Sequence, residues 1–192
     1  MANDLLKGKR GIIFGALNSQ SIAWKVAQRA HEEGATFVLT NAPIAMRMGE
    51  IKNLAKETGS EIIPADATSI EDLENLVTQS MEILGGKIDF VLHSIGMSPN
   101  VRKGKHYTEN DYRYYGQTMD VSAISFHKTL ATLYKHDAMS EWGSVLALSY
   151  IAAQRIFPDY NDMADAKSLL ESIARSFGYH YGIKNKVRVN TI

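Results

Sequence analysis

Along this chain, short and continuously apolar runs alternate with longer stretches in which apolar residues recur every three or four positions. The short runs predict strands at Arg10 to Phe14, Thr36 to Thr40, Glu61 to Pro64, Ile88 to His93, Ser144 to Ser149 and Val187 to Ile192. Between them, Ile22, Val26, Ala27 and Ala30 fall at helical spacing, as do Ile70, Leu73, Leu76 and Val77, and later Leu170, Ile173 and Phe177. Strands alternating with helices wind a parallel sheet, and a run as apolar as Val145 to Leu148 needs helices on both faces of that sheet. The expectation is an α/β, doubly wound parallel sheet in a single domain over residues 1–192. Ligands of such sheets bind beyond the carboxyl ends of the strands, which makes the irregular stretch Met97 to Lys105 an expected pocket wall.

Composition narrows the partners. Lys+Arg and Asp+Glu both number 21, which gives no electrostatic footprint for nucleic acid or an anionic membrane. The chain is 45% apolar and 22% charged, the balance of a packed domain and not of a disordered one. There is no cysteine, so disulfides, thiolate metal sites and cysteine nucleophiles are excluded, in keeping with a reducing compartment. The start, MANDLLKGKR, has no long apolar segment, and no run approaches a membrane span, so the expectation is a cytoplasmic protein. The six histidines show no ligand spacing, and no metal is expected. The partner should be a small molecule in a pocket.

Gly15 directly follows the first predicted strand, and the segment from Gly15 to Ala23 leads into a helix. A strand-to-helix turn of small and hydroxyl residues lets backbone N–H groups and a positive helix end approach a pyrophosphate. Only one glycine turns the chain here, where a full dinucleotide fingerprint has three, and Ser21 serves equally as a helix cap. Asp66, just past the third strand, offers a carboxylate to an adenine amino group. Gly96, after His93-Ser94-Ile95, leaves room for a ribose or nicotinamide. Together these describe a Rossmann-type cleft.

Tyr160 and Lys167 are seven residues apart, a spacing that returns to nearly the same helix face. A phenol can donate to a carbonyl oxygen that is gaining negative charge, and a nearby ammonium can hold a cofactor ribose and help the phenol act as an acid. Tyr150 stands ten residues before Tyr160, at the end of the fifth strand.

With Tyr150, Tyr160 and Lys167 spaced in this way, the sequence resembles the enoyl-acyl carrier protein reductases, a divergent branch of the short-chain dehydrogenase/reductase superfamily. The resemblance extends over Gly15 with Ser21-Ile22-Ala23, Asp66, His93-Ser94-Ile95-Gly96 and Val187-Arg188-Val189-Asn190, nearly the whole chain. It implies reduction of trans-2-enoyl thioesters on acyl carrier protein in fatty-acid biosynthesis. In that reading Tyr160 stabilises an enolate, Lys167 binds the ribose hydroxyls and Tyr150 lines the substrate pocket. Gly15, Ser21 and Ile22 take the pyrophosphate, Asp66 and Ala67 the adenine, Ile95 the ribose or nicotinamide side, and Ser98 the substrate. The resemblance also implies a homotetramer. Members continue past the strand ending at Ile192, so the domain is expected to be cut short at its C-terminus, without its lid, last strand and last helix.

Two features depart from the pattern or compete with it. After the second strand the family carries glutamine in many NADH users and basic residues in NADPH users; here stand Asn41-Ala42-Pro43, leaving Ala42 only backbone contact and no positive charge for a 2′-phosphate. NADH is therefore expected as the preferred cofactor, with NADP not excluded because Arg47 lies close by. A short-chain ketoreductase or alcohol dehydrogenase would need serine about a dozen residues before Tyr160, where Leu148 and Ala147 stand. A non-catalytic nucleotide sensor would need neither Tyr160 nor Lys167.

Overall fold

The computed structural model describes residues 3–48 and 50–192. Six strands form one all-parallel sheet in the order β3-β2-β1-β4-β5-β6: β1 (Arg10–Phe14), β2 (Thr36–Thr40), β3 (Glu61–Ile62), β4 (Ile88–His93), β5 (Met139–Ala147) and β6 (Arg188–Thr191). Among the described residues no helix is long and apolar enough to cross a membrane.

Alternation along β1 divides the core. Ile12 and Phe14 face one side, where α4 (Ile70–Ile83), α7 (Ser125–Lys135) and α8 (Asn161–Asn185) pack through Leu73, Leu130 and Leu170. Ile13 faces the other, against Trp24 and Ala27 of α1 (Ile22–Glu32) and Leu54 of α3 (Ile51–Thr58). Successive strand residues point to opposite faces, so a run apolar on both parities fits a strand covered twice. Three shorter helices, α2 (Pro43–Met48), α5 (Pro99–Arg102) and α6 (Tyr112–Met119), lie around the carboxyl ends of the strands or lead into α7.

Strands β1, β2 and β4 match the expected bounds, whereas the others shift for local reasons. β3 stops at Ile62, and although Ile63 and Ala65 still donate to Leu39 and Asn41, Pro64 has no N–H to give. β5 begins at Met139 because the polar segment Ser140 to Gly143 is a bulge within the strand, where the register against β4 jumps from Met139 to Ser144 and Trp142 takes φ 61°. β5 also ends at Ala147, so Tyr150 stands three residues beyond the strand. The stretch Met97 to Lys105 contains α5, whose Ser98 hydroxyl caps it by accepting from the Val101 N–H.

The strand order turns back on itself at β1, whose neighbours are β2 on one side and β4 on the other. Connections leave the carboxyl ends of β1 and β4 toward opposite faces, which opens a crevice there.

Candidate active site

Two hollows open at the carboxyl ends of the strands and share Ser94, Ile95 and Gly96 as a common wall. One, of about 210 Å³, is lined by Gly15, Ala42, Asp66 and Ala67 among others. The second, of about 240 Å³, is lined by Leu148, Ser149, Tyr160, Met163 and Lys167. A larger hollow of about 440 Å³ lies behind the turn that carries Phe157 and Pro158 and is floored by Asp165 of α8, but neither Tyr160 nor Lys167 lines it. The chemistry belongs with the two smaller hollows.

Backbone geometry makes the first hollow. Gly15 takes φ +90°, and a Cβ there would fall 1.9 Å from the Ser94 carbonyl oxygen, so only glycine lets β1 and the end of β4 come this close. Beyond it, the Ser21 hydroxyl accepts from the Leu17 and Asn18 N–H groups at 3.2 and 3.0 Å. The Ser21 hydroxyl thus bends the turn back on itself and does not cap the helix, which Ser21 joins through its carbonyl alone, accepting from the Trp24 and Lys25 N–H groups. Ile22 begins α1 with its side chain largely exposed, leaving its backbone at the positive helix end.

Opposite this turn, Asp66 Oδ1 accepts from the N–H and hydroxyl of Thr68, while its other oxygen accepts nothing among the described residues. Asn41 is committed to the protein, its side-chain amide donating to the Ala16 carbonyl. The lining of this hollow includes no lysine or arginine. A glycine cradle under a helix end, an open carboxylate and an uncharged Ala42 fit the pyrophosphate, adenine and unphosphorylated ribose of a dinucleotide.

Side chains make the second hollow. Lys167 is 5% exposed, and its ammonium donates to the Leu148 carbonyl at 2.7 Å and the Ile95 carbonyl at 3.3 Å. Burial lowers its pKa to about 8. Tyr160 precedes α8 in a short 3₁₀ turn (Pro158–Tyr160) and is not part of the helix, yet it lines the same hollow as Lys167. Its phenol titrates above the ordinary tyrosine value, first because it is half-buried and then because of the Tyr150 hydroxyl. The expected help from an ammonium is absent; the phenol is held protonated, as a donor. The Tyr150 ring packs on the Tyr160 ring with centroids 4.4 Å apart, and Phe157 lies on Tyr150's far side at 5.4 Å. Ser98 is buried, its hydroxyl donated to Asp162 and its carbonyl oxygen accepting from the Arg102 N–H, and it lines neither hollow.

Beneath Lys167 sits His93, fully buried at the end of β4 between Phe14 and Phe126. Desolvation and then the Lys167 charge lower its pKa to about 3. The Ser125 hydroxyl donates to the Val121 carbonyl, so its oxygen accepts from His93 Nε2–H at 3.0 Å, which assigns the neutral tautomer.

Sequence reasoning missed a supporting residue. Between α6 and α7 the helix widens into a π turn (Asp120–Ile124). Its Ser122 hydroxyl accepts from the Met97 N–H at 2.9 Å and donates to the Met97 carbonyl at 3.1 Å, pinning the chain one residue past Gly96. An ordinary serine in a helical pattern gives no sign of this.

Comparison with known proteins decides the relationship. The family model for enoyl-(acyl carrier protein) reductase matches residues 15–192. The chain belongs to this family. An enoyl-[acyl-carrier-protein] reductase [NADH] of Rhizobium meliloti is 36% identical over 191 residues, covering 99% of this chain and 69% of that protein. The crystal structure of FabI from Alistipes finegoldii is similar with TM-score 0.97 at 64% identity, covering 99% of this chain and 73% of that one. That of the FabI–NADH complex from the same organism gives 0.96 at 64% identity, covering 98% and 66%. The fold, the family and the nicotinamide chemistry expected from the sequence agree with these findings.

Proposed function

We propose that this protein reduces the 2,3 double bond of trans-2-enoyl thioesters carried on acyl carrier protein, using NADH. The observation that carries this reading is the meeting of Tyr160 and Lys167 in one hollow, which shares its Ser94–Gly96 wall with the hollow built on Gly15. When bound, NADH would supply a hydride to the β-carbon and leave as NAD⁺; the π electrons pass to the carbonyl oxygen, and a proton from solvent at the α-carbon completes the saturated thioester. Tyr160, its phenol held protonated by burial, donates to that oxygen and stabilises the enolate. Lys167, aimed by the Leu148 and Ile95 carbonyls, donates to the ribose hydroxyls. Tyr150 buttresses the Tyr160 ring and borders the thioester. Gly15, Ser21 and Ile22 receive the pyrophosphate, Asp66, Ala67 and Ala42 the adenosine, and Ile95 the nicotinamide side.

NADH is favoured over NADPH because the adenosine hollow offers no cation to a 2′-phosphate. The active assembly in this reading is a homotetramer working in the cytoplasm, and light scattering of the purified protein checks the first part. The deciding experiment mixes the protein with a trans-2-enoyl thioester and follows nicotinamide absorbance with NADH and NADPH separately. Oxidation of NADH by the enoyl thioester, faster than of NADPH at equal concentration, is expected. Oxidation driven by a 3-ketoacyl thioester and not by the enoyl compound would transfer the protein to ketoreductase chemistry.

A further inference from the structure

Directly after Tyr160 the chain carries two residues that the chemistry above does not use. Asn161 takes φ 46° and ψ −137°, a conformation strained for any residue with a side chain. Asp162 is 0% exposed and its partners are all neutral: the Ser98 hydroxyl donates at 2.6 Å to one oxygen and the Asn100 amide at 2.8 Å to the other, which also lies 2.9 Å from the Thr118 hydroxyl, whose single proton is shared with the Tyr114 carbonyl at 2.9 Å. None of the ion pairs among the described residues involves it. Buried carboxylates are costly, and one held only by hydroxyls and an amide is an unusual way to fasten a helix.

What these bonds fasten is specific. Ser98 and Asn100 belong to the turn of α5 that follows the Ser94–Gly96 wall, and Thr118 belongs to α6 just before the π turn that pins Met97. Asn161 adds a fourth tie, its amide donating to the Lys105 carbonyl at 2.6 Å while its carbonyl oxygen accepts the Asp162 N–H at 2.5 Å. All four run from the two residues after Tyr160 to the substrate-side segment 98–105 or to the helix beneath it. The strained turn at Asn161 comes directly after the residue that carries the phenol, and the four ties start from that turn.

We propose that Asn161 and Asp162 are positioning residues that lock Tyr160 to the Ser98–Lys105 turn, so that carbonyl donor and substrate wall move as one body. The proposal rests on the reading of Tyr160 as the carbonyl donor. It predicts a loss confined to turnover. Misplacing a catalytic donor by about 1 Å costs on the order of 100-fold, so Asp162→Ala lowers kcat by roughly that factor and the near-isosteric Asp162→Asn by about 10-fold. The dissociation constant for NADH, whose adenosine and pyrophosphate sites these ties do not reach, stays within about twofold of the parent's.

The test is a double-mutant cycle of Asp162→Asn with Tyr160→Phe, read as kcat at saturating thioester and NADH. If Asp162 acts through the phenol, Asp162→Asn costs less than about twofold once Tyr160 is phenylalanine. An equal loss in both backgrounds, or full activity of Asp162→Asn and Asp162→Ala, overturns the proposal while leaving the reductase reading intact. A parent protein that reduces no enoyl thioester sinks the reductase reading instead. In that case amide hydrogen exchange still decides the tie: faster exchange in Asp162→Asn confined to 98–105 and 160–164 supports it, and unchanged exchange there overturns it.

Discussion

The two hollows on either side of Ser94, Ile95 and Gly96 are built by different means. On the Gly15 side the wall is backbone: a glycine with no room for a Cβ, a serine hydroxyl folded onto two N–H groups, and the start of α1. On the Tyr160 side it is residues of the turn after β5, the 3₁₀ turn that carries Tyr160, and Met163 and Lys167 of α8. A backbone wall is specified by a few neighbours in sequence and recognises shape and phosphate charge. A side-chain wall is specified by distant contacts and does chemistry with particular protons. The first should tolerate change at most positions other than Gly15, Ser21 and Asp66, whereas the second should fail at single atoms.

The sharpest test of this contrast is the phenol oxygen. Tyr160→Phe keeps the ring stacked on Tyr150 and removes one hydroxyl, and losing one preorganised donor to a developing oxyanion costs on the order of 100-fold or more in kcat. NADH affinity measured by fluorescence titration should barely move. Full turnover at saturating thioester would remove Tyr160 from the chemistry and, with it, the claim that this side works through single protons.

Gly15→Ala makes the matching change on the other side. The added methyl meets the Ser94 carbonyl at 1.9 Å and requires a residue at φ +90°, so either the turn or the wall must shift. A strained position of this kind costs on the order of 2 kcal/mol, and if the turn relieves it by leaving the NADH-binding conformation, NADH binding weakens by roughly 10-fold or more with kcat near normal once NADH saturates. An equal fall in kcat would show that the shared wall transmits the shift to Tyr160 and that the two halves are not separable.

That contrast also explains what the sequence displayed. The sheet was legible because most of its strands carry a short apolar run bounded by turn residues, and its bounds were misread where Pro64 removed a donor, where a bulge from Ser140 to Gly143 looked like a loop, and by one or two residues at the ends of β5 and β6. Gly15, Tyr150, Tyr160 and Lys167 were legible as a spacing. Their environment was not: that Tyr160 sits ahead of α8, that its phenol is pushed upward, and that Ser98 points inward all depend on residues tens of positions away. Asp162 and Ser122 were invisible, because a buried aspartate or serine has the same letter as an exposed one.

The smallest expected effect distinguishes the charge of Lys167 from its shape. Its ammonium is desolvated and loses its proton near pH 8, below the ordinary lysine value, so the charged form that holds the ribose is depleted as pH rises through that point. If only the charged form binds, NADH affinity should fall about fourfold between pH 7 and 8.5 and flatten below pH 7. Neither neighbour can produce this profile: His93 is neutral at all pH values above about 3, and Tyr160 titrates above its ordinary range. In Lys167→Met the affinity should be lower throughout and level across the same interval, since no group remains to titrate there. A slope that survives in Lys167→Met would assign the titration elsewhere and reduce Lys167 to a packing residue, leaving Tyr160 as the only side chain whose proton this side of the cleft uses.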